Sequence, residues 1–252
     1  MQLTELKLSN FRKFSHFELK LNQITIITGA NGSGKTSILE AIHTLSLGLS
    51  FHTRQTTPLV KIGQKQFTVF AKIKPDNNYN SNSSSKQLGI TKNLNGNTER
   101  KVDHQNIHSQ NQILKLLPII AITPQKLNLL KQQSNARRNL IDWGVYYNNP
   151  EFINYWRKTK KVLKQRNQLL KQKAPYQQMK PWDQILTQLS EQIDKLREQY
   201  SQTLLQHLKP KLEQTFPNLP IKIKYFRGWA ESENYKNILD KNLINDYKYG
   251  FT

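Results

Sequence analysis

The stretch from Ile24 to Ile42, ITIITGANGSGKTSILEAI, constrains the fold more than any other part of the chain. Ile24, Ile26 and Ile27 form a β-branched run that predicts a buried strand from Ile24 to Thr28. Ile38, Leu39 and Ile42 recur at helical spacing and predict a helix from about Lys35 to Leu47, stopped by Gly48. Between strand and helix, Gly29-Ala30-Asn31-Gly32-Ser33-Gly34-Lys35-Thr36 matches the phosphate-binding pattern G-x-x-x-x-G-K-[ST]. Glycines let the backbone approach a ligand closely, and consecutive N–H groups in such a turn form an anion nest. The positive end of the following helix adds to it. Lys35 is expected to reach the β- and γ-phosphates of ATP, and the Thr36 hydroxyl to ligate Mg²⁺.

The second constraint is charge. Lys+Arg number 38 against 17 Asp+Glu, a net charge of +21. Such an excess predicts a polyanionic partner, DNA or RNA, although lysine-rich compositional drift would give the same total. No apolar stretch approaches the ~18 residues of a membrane span, and Met1 to Leu8 lacks the apolar core of a signal peptide. The absence of cysteine excludes disulfides and thiolate metal sites and suits a reducing cytoplasm. The six histidines (16, 43, 52, 104, 108 and 207) are too dispersed to suggest a metal site.

Taken in order, Leu3 to Leu8 alternates as a half-buried strand, Asn10 to Phe14 turns, and Phe17, Leu19 and Leu21 mark a second strand. Arg12, on the turn, is either a nucleotide or DNA contact or a plain exposed cation. Phe67 to Ile73 and Leu88 to Leu94 read as antiparallel strands, separated by a polar loop over Pro75 to Ser85, with a hairpin turn at Asn95-Gly96. Leu114 to Ile122 reads as a short helix end followed by a buried strand.

From 126 to 210 the pattern is almost wholly helical. Phe152, Trp156, Leu163 and Leu170, with Tyr155, Val162 and Leu169, form the buried stripe of one helix. Arg157, Lys158, Lys160, Lys161, Lys164 and Arg166 fall among them, and no acid occurs from Phe152 to Lys180. A second helix is predicted from about Trp182 to Leu208, with Ile185, Leu189, Ile193, Leu196, Leu204 and Leu208 inward and the loop Pro175–Pro181 joining the two. This helical hairpin is a candidate DNA-binding arm, the alternative being a merely solvated basic face. Nothing in it offers a base-reading motif, so little sequence preference is expected. Ile221 to Phe226 alternates like a strand, residues 234–247 look helical, and Tyr249 to Thr252 could begin another strand.

Leu8-Ser9-Asn10-Phe11-Arg12, the phosphate loop with Leu39-Glu40-Ala41-Ile42, Ser50-Phe51, Thr123-Pro124, Arg137-Arg138 with Ile141-Asp142-Trp143-Gly144, Pro150-Glu151-Phe152, Leu163-Lys164-Gln165-Arg166-Asn167 and Tyr225-Phe226-Arg227-Gly228-Trp229 together carry a resemblance over essentially the whole chain. It resembles the RecF family of bacterial recombination mediators. The block from Arg137 to Asn167 is far more specific than the phosphate loop, which many ATPases share. The resemblance implies an α/β fold: an ABC-type P-loop ATPase head with a mixed sheet over residues 1–125, and a mainly helical second lobe with a basic arm over 126–252. It also implies ATP and Mg²⁺ as cofactors and single-stranded or gapped duplex DNA as a partner. ATP-dependent homodimerisation is implied too, as is action with other mediators in recombinase loading, replication restart and SOS induction.

The chain departs from that family at His52, where Arg is usual, and at Gln125-Lys126, where an acidic pair is usual. It stops where the family pattern continues into a Gly-Pro-His-Arg strand, a signature helix and an acidic strand. A fragment or a truncated product is expected on this ground, with weak nucleotide binding, scarcely any hydrolysis and open sheet edges. Two alternatives stay open: an inert remnant of the fold, and the ATPase head of a nuclease-type enzyme, which would need clustered acids.

Overall fold

A computed structural model describes residues 1–53, 55–74, 84–230 and 232–252. They divide into two units, Met1–Thr123 and Pro124–Thr252.

The first unit is built on one antiparallel sheet. Its strands are β1 (Gln2–Phe11), β2 (Phe14–Lys20), β3 (Gln66–Lys74), β4 (Lys86–Asn93), β5 (Thr98–Val102) and β6 (Gln105–Asn106). Their spatial order is β2-β1-β3-β4-β5-β6. A mixed sheet was the expectation; every ladder among the described residues is antiparallel. Period-two alternation turns Leu6, Leu8, Val69, Ala71, Leu88 and Ile90 to one face. There they meet Ile38, Ala41 and Leu45 of helix α1 (Lys35–Leu47), and all these side chains are buried. Phe11 and Phe67 close one end of this core, edge to face with centroids 5.0 Å apart. Gly96 takes the left-handed conformation in the hairpin between β4 and β5, as the Asn-Gly pair predicts. Of the polar loop read at Pro75 to Ser85, all but the last two residues lie outside the described residues.

Two expected strands of this unit do not form. Residues 24–28 join no ladder, and Ile24 and Ile26 are each 83% exposed; only Ile27 packs against the core. After helix α2 (Gln110–Leu116), residues 118–122 are also unladdered, with Ile120 and Ile122 exposed. A strand exists only where another strand supplies its hydrogen bonds, and no described strand lies beside either segment.

The second unit is helical: α3 (Pro124–Gln132), α4 (Ser134–Asn148), α5 (Phe152–Lys171), α6 (Tyr176–Thr215) and α7 (Tyr235–Tyr249). The α5–α6 hairpin matches the predicted arm, with Phe152, Val162 and Leu170 buried on α5. Helix α6 is longer than expected. It begins before Pro181, in the stretch where the sequence predicts a loop, and runs on through Pro210. Each proline removes one backbone donor. Burial of Met179, Asp183 and Leu186 on either side of Pro181 holds that first turn helical. Leu186 and Ile193 point inward, whereas Ile185, expected inward, is 42% exposed. Ile221 to Phe226 joins no ladder, and Ile221, Ile223 and Phe226 are exposed. Phe251 and Thr252 likewise form no strand; the Thr252 N–H and hydroxyl donate to Asn167 Oδ1 at 3.0 and 2.9 Å.

Helices α4 and α6 approach closely at Gly144, where an added Cβ would lie 2.1 Å from Tyr200 Cζ and Oη. Gly144→Ala should therefore destabilise the protein by about 1–3 kcal/mol in urea unfolding, through overpacking. The double variant Gly144→Ala/Tyr200→Leu should recover most of the loss. A neutral Gly144→Ala would contradict this crossing.

Candidate functional site: a phosphate loop under a pinned turn

Helix α1 has its two ends finished in opposite ways. At its C-terminus Gly48 caps in the left-handed conformation, Gln110 Nε2 donates to the Leu45 and Ser46 carbonyls (2.7 and 2.9 Å), and Lys92 Nζ donates to the Gly48 carbonyl at 2.7 Å. Burial pushes the Lys92 ammonium below the usual lysine range, and the Arg100 charge adds to that. The N-terminus has no side-chain cap. Gly34 occupies the N-cap position at φ 101°, and the first amides of the helix have no acceptor within it. A helix left uncapped at the end of a glycine loop is an anion site by construction.

Cations surround that end. Lys35 Nζ turns back onto the Gly29 and Ala30 carbonyls, at 2.7 and 2.8 Å. Lys13 Nζ, from the β1–β2 turn, donates to the Gly32 carbonyl at 2.7 Å. Phe14 lies over Gly34 so closely that a Cβ there would sit 2.5 Å from the ring. A hollow of about 540 Å³ opens between them, lined by Arg12, Lys13, Asn31, Gly32, Gly34, Lys35, Thr36 and Ser37 with Pro58, Val60 and Ile62. Thr36 is exposed, and its hydroxyl has no protein partner among the described residues. Of the predicted loop residues, Asn31, Gly32, Gly34, Lys35 and Thr36 line this hollow. Gly29 and Ala30 hold Lys35 through their carbonyls, and the Ser33 N–H closes the turn onto the Ala30 carbonyl at 3.1 Å. This donor set fits a triphosphate: amides and two ammonium groups for the oxygens, and one hydroxyl for a magnesium ion.

The sequence reading omitted Lys13 and left Arg12 open between ligand contact and free cation. Arg12 is neither. Its Nε and Nη2 donate to the two Glu40 oxygens at 2.7 and 2.6 Å, and its Nη1 to the Pro58 carbonyl at 2.8 Å. Glu40 is 1% exposed and also accepts from Ser50 Oγ. Burial alone would raise the Glu40 pKa; the hydrogen bonds from Arg12 and Ser50, with the Arg12 charge, outweigh it and hold the carboxyl below its ordinary value. Backbone bonds fix the same turn: the Arg12 N–H reaches Leu59 O at 2.7 Å, and the Lys61 N–H reaches Asn10 O at 2.8 Å. Asn10 and Arg12 both hold positive φ, at 53° and 55°. This pinning carries Lys13 and Phe14 over the loop. The one sequence signal for it was the adjacency of Arg12 and Lys13.

In the second unit, the candidate DNA-contact residues Arg157, Lys158, Lys160, Lys161 and Lys164 are all exposed on α5. Lys160, Lys164 and Lys171 border a shallow hollow with Leu163, Asn167 and Gln168, and Lys160 lies 5.4 Å from the Trp156 ring centroid. Arg166 is a correction. Although basic and in the same run, it is fully buried, donating to Asp183 at 2.5 Å, Asp246 at 2.6 Å and Thr252 Oγ1 at 2.7 Å. It ties α5 to α6 and α7 and is not accessible to a phosphate. Its acidic partners lie 17 and 80 residues away in sequence, beyond any local pattern. Among the described residues no three His, Cys, Asp or Glu side chains cluster as a metal site.

The chain was then compared with known proteins. Residues 2–191 match the model of the RecF/RecN/SMC N-terminal domain family. A DNA replication and repair protein RecF of Vibrio cholerae is 36% identical over 254 residues, covering all of this chain and 69% of that protein. The chain belongs to the RecF family. A RecF of Shewanella halifaxensis is 34% identical, again over the whole chain and 68% of the relative. Two solved structures of the recombination mediator RecF, one with ATP, superpose with TM-scores of 0.81 and 0.83 at 26% identity, covering all of this chain and 70% of theirs. The fold is accordingly the α/β ABC-type ATPase head of RecF, with its antiparallel sheet and associated helices. No described helix is long and apolar enough to cross a membrane.

Because Glu40 is buried, Arg12→Ala should cost about 3 kcal/mol by leaving that carboxylate without its charge partner. Arg12→Lys, which lacks the two-pronged geometry, should recover part of it. The pair stabilises the fold above the unfolded carboxyl pKa of about 4.3 and ceases to do so as pH falls through the lower folded value. The unfolded value cancels between wild type and Arg12→Ala, so their gap in urea unfolding should be constant near neutral pH. It should narrow as pH falls from the variant's higher Glu40 pKa, where burial acts without Arg12, to the lower one of the wild type. A gap independent of pH down to strong acid would contradict the assignment.

Proposed function

We propose that this chain binds ATP with Mg²⁺ at the phosphate loop and DNA along α5, as part of a RecF-type protein of DNA repair and replication. The observation that carries the reading is the uncapped start of α1 with the Lys35 and Lys13 ammonium groups at the same mouth. On triphosphate binding, both ammonium groups exchange loop carbonyls for phosphate oxygens, and Thr36 offers its hydroxyl to the metal. A magnesium ion held there would offset phosphate charge. The described lining supplies cations and no carboxylate. Weak nucleotide binding with scarcely any hydrolysis by this chain is part of the proposal.

For DNA, the support is the exposed lysine row of α5 within a chain of net charge +21. Contacts of lysine with phosphate are blind to sequence and depend steeply on salt. Single-stranded or gapped duplex DNA as the substrate, ATP-driven pairing of two heads, recombinase loading with other mediators, SOS induction and a cytoplasmic location follow from RecF membership and complete the proposal.

Lys35→Ala should abolish binding of a fluorescent ATP analogue, and Lys13→Ala should weaken it about tenfold, the worth of one charge-assisted hydrogen bond. Unchanged affinity in Lys35→Ala would remove the loop from the mechanism. Charge reversal at Lys160, Lys161 and Lys164 should weaken DNA binding and flatten its logarithmic salt dependence by about 0.7–0.9 per lost phosphate contact, leaving nucleotide binding intact. Undiminished DNA binding would exclude the arm.

A further inference from the structure

The sheet of the first unit has a second face, turned away from α1. The strand registers set Lys7, Phe70, Gly89 and Lys101 in one transverse row on that face. Phe70 is a large aromatic residue that takes no part in the buried core of its unit. Its neighbour on β4 is the one residue with no side chain to cover it. A Cβ built on Gly89 would meet only Lys101 Cβ, at 3.9 Å. Glycine weakens a strand interior and marks a place where something else approaches the backbone. The result is a hollow of about 170 Å³, bordered by Phe70, Gly89, Thr68, Thr91, Lys101 and Glu99.

The charges around it are unequal. Lys7 is held by Glu5 and Glu18 at 3.1 and 3.0 Å, and Lys72 by Glu5 at 2.8 Å. Lys101 has no ion-pair partner among the described residues, so its charge is available to an incoming phosphate. Glu99, two residues before Lys101 on β5 and on the same face, repels phosphate and accepts from an exocyclic amine. An aromatic ring on an open sheet face, a side-chain-free space beside it and one uncommitted cation are the components with which sheets hold unpaired bases.

We propose that this hollow seats one unpaired base of single-stranded DNA, stacked on Phe70 with the adjoining phosphate on Lys101. The proposal rests on the DNA-binding reading above and extends it to a second surface, one that recognises the absence of a complementary strand. Duplex DNA, with its bases already stacked and paired, gains nothing there.

The test uses the whole chain and two short labelled strands, oligodeoxycytidylate and the same backbone made abasic, titrated at one salt concentration. Wild type should prefer the strand with bases by roughly 5- to 100-fold, the range for one stacked base. Phe70→Leu should lose that preference while binding the abasic strand as wild type does. Should Phe70→Leu fold poorly, Gly89→Val fills the hollow with a residue that suits a strand and should lose the same preference. Either folded variant retaining the full preference overturns the proposal and leaves DNA binding by α5 standing. Wild type binding neither strand overturns both. Tighter binding of the matching RNA strand than of the DNA strand would overturn the assignment to DNA.

Discussion

The contact between Arg12 and Glu40 joins the parts of the first unit that make its site. Glu40 is a carboxylate with almost no access to water, and such a charge persists in a folded protein only when it is matched. Arg12 supplies a two-pronged match and Ser50 a further donor. The pair fixes the distance between the β1–β2 turn and the helix that follows the phosphate loop. Lys13 and Phe14, next in the chain, are thereby set over Gly32 and Gly34. A site that must receive several negative charges thus has its cations placed before the ligand arrives, and the ordering cost of bringing them there falls on folding rather than on binding.

Two lysines, one in the phosphate loop and one on the β1–β2 turn, donate to carbonyls of that loop. Both ammonium groups rest on carbonyls that are poor substitutes for phosphate oxygens, because a neutral acceptor forms the weaker bond with a charged donor. Charge thus does two different jobs in this molecule. Along α5 the lysines face solvent, and those at the loop lie on main-chain carbonyls. At Arg166 charge is spent internally, between helices, on Asp183 and Asp246.

Features governed by neighbours in sequence were legible in advance. Helix α1 begins and ends at the predicted residues because Gly34 and Gly48 punctuate it. Strands β3 and β4 and the Asn95-Gly96 turn were read correctly because alternation and turn chemistry are local. The misreadings share a non-local cause. Ile24 to Thr28, the end of the Leu114–Ile122 run and Ile221 to Phe226 carry the β-branched composition of strands, yet lie without a described partner strand. Composition reports suitability for a sheet, not the presence of a neighbour. Arg166 was placed with the DNA contacts because its run is basic; only the fold brings two distant aspartates to it. Lys13 escaped notice because its role depends on a turn held in a backbone conformation rare for residues other than glycine.

The central claim is that main-chain amides at the start of α1 grip the triphosphate. Amide hydrogen exchange with and without a non-hydrolysable ATP analogue tests it at those atoms. The account predicts slowed exchange confined to residues 32–37 and the Lys13 turn. Slowing that appeared elsewhere in the chain, with residues 32–37 unchanged, would contradict it.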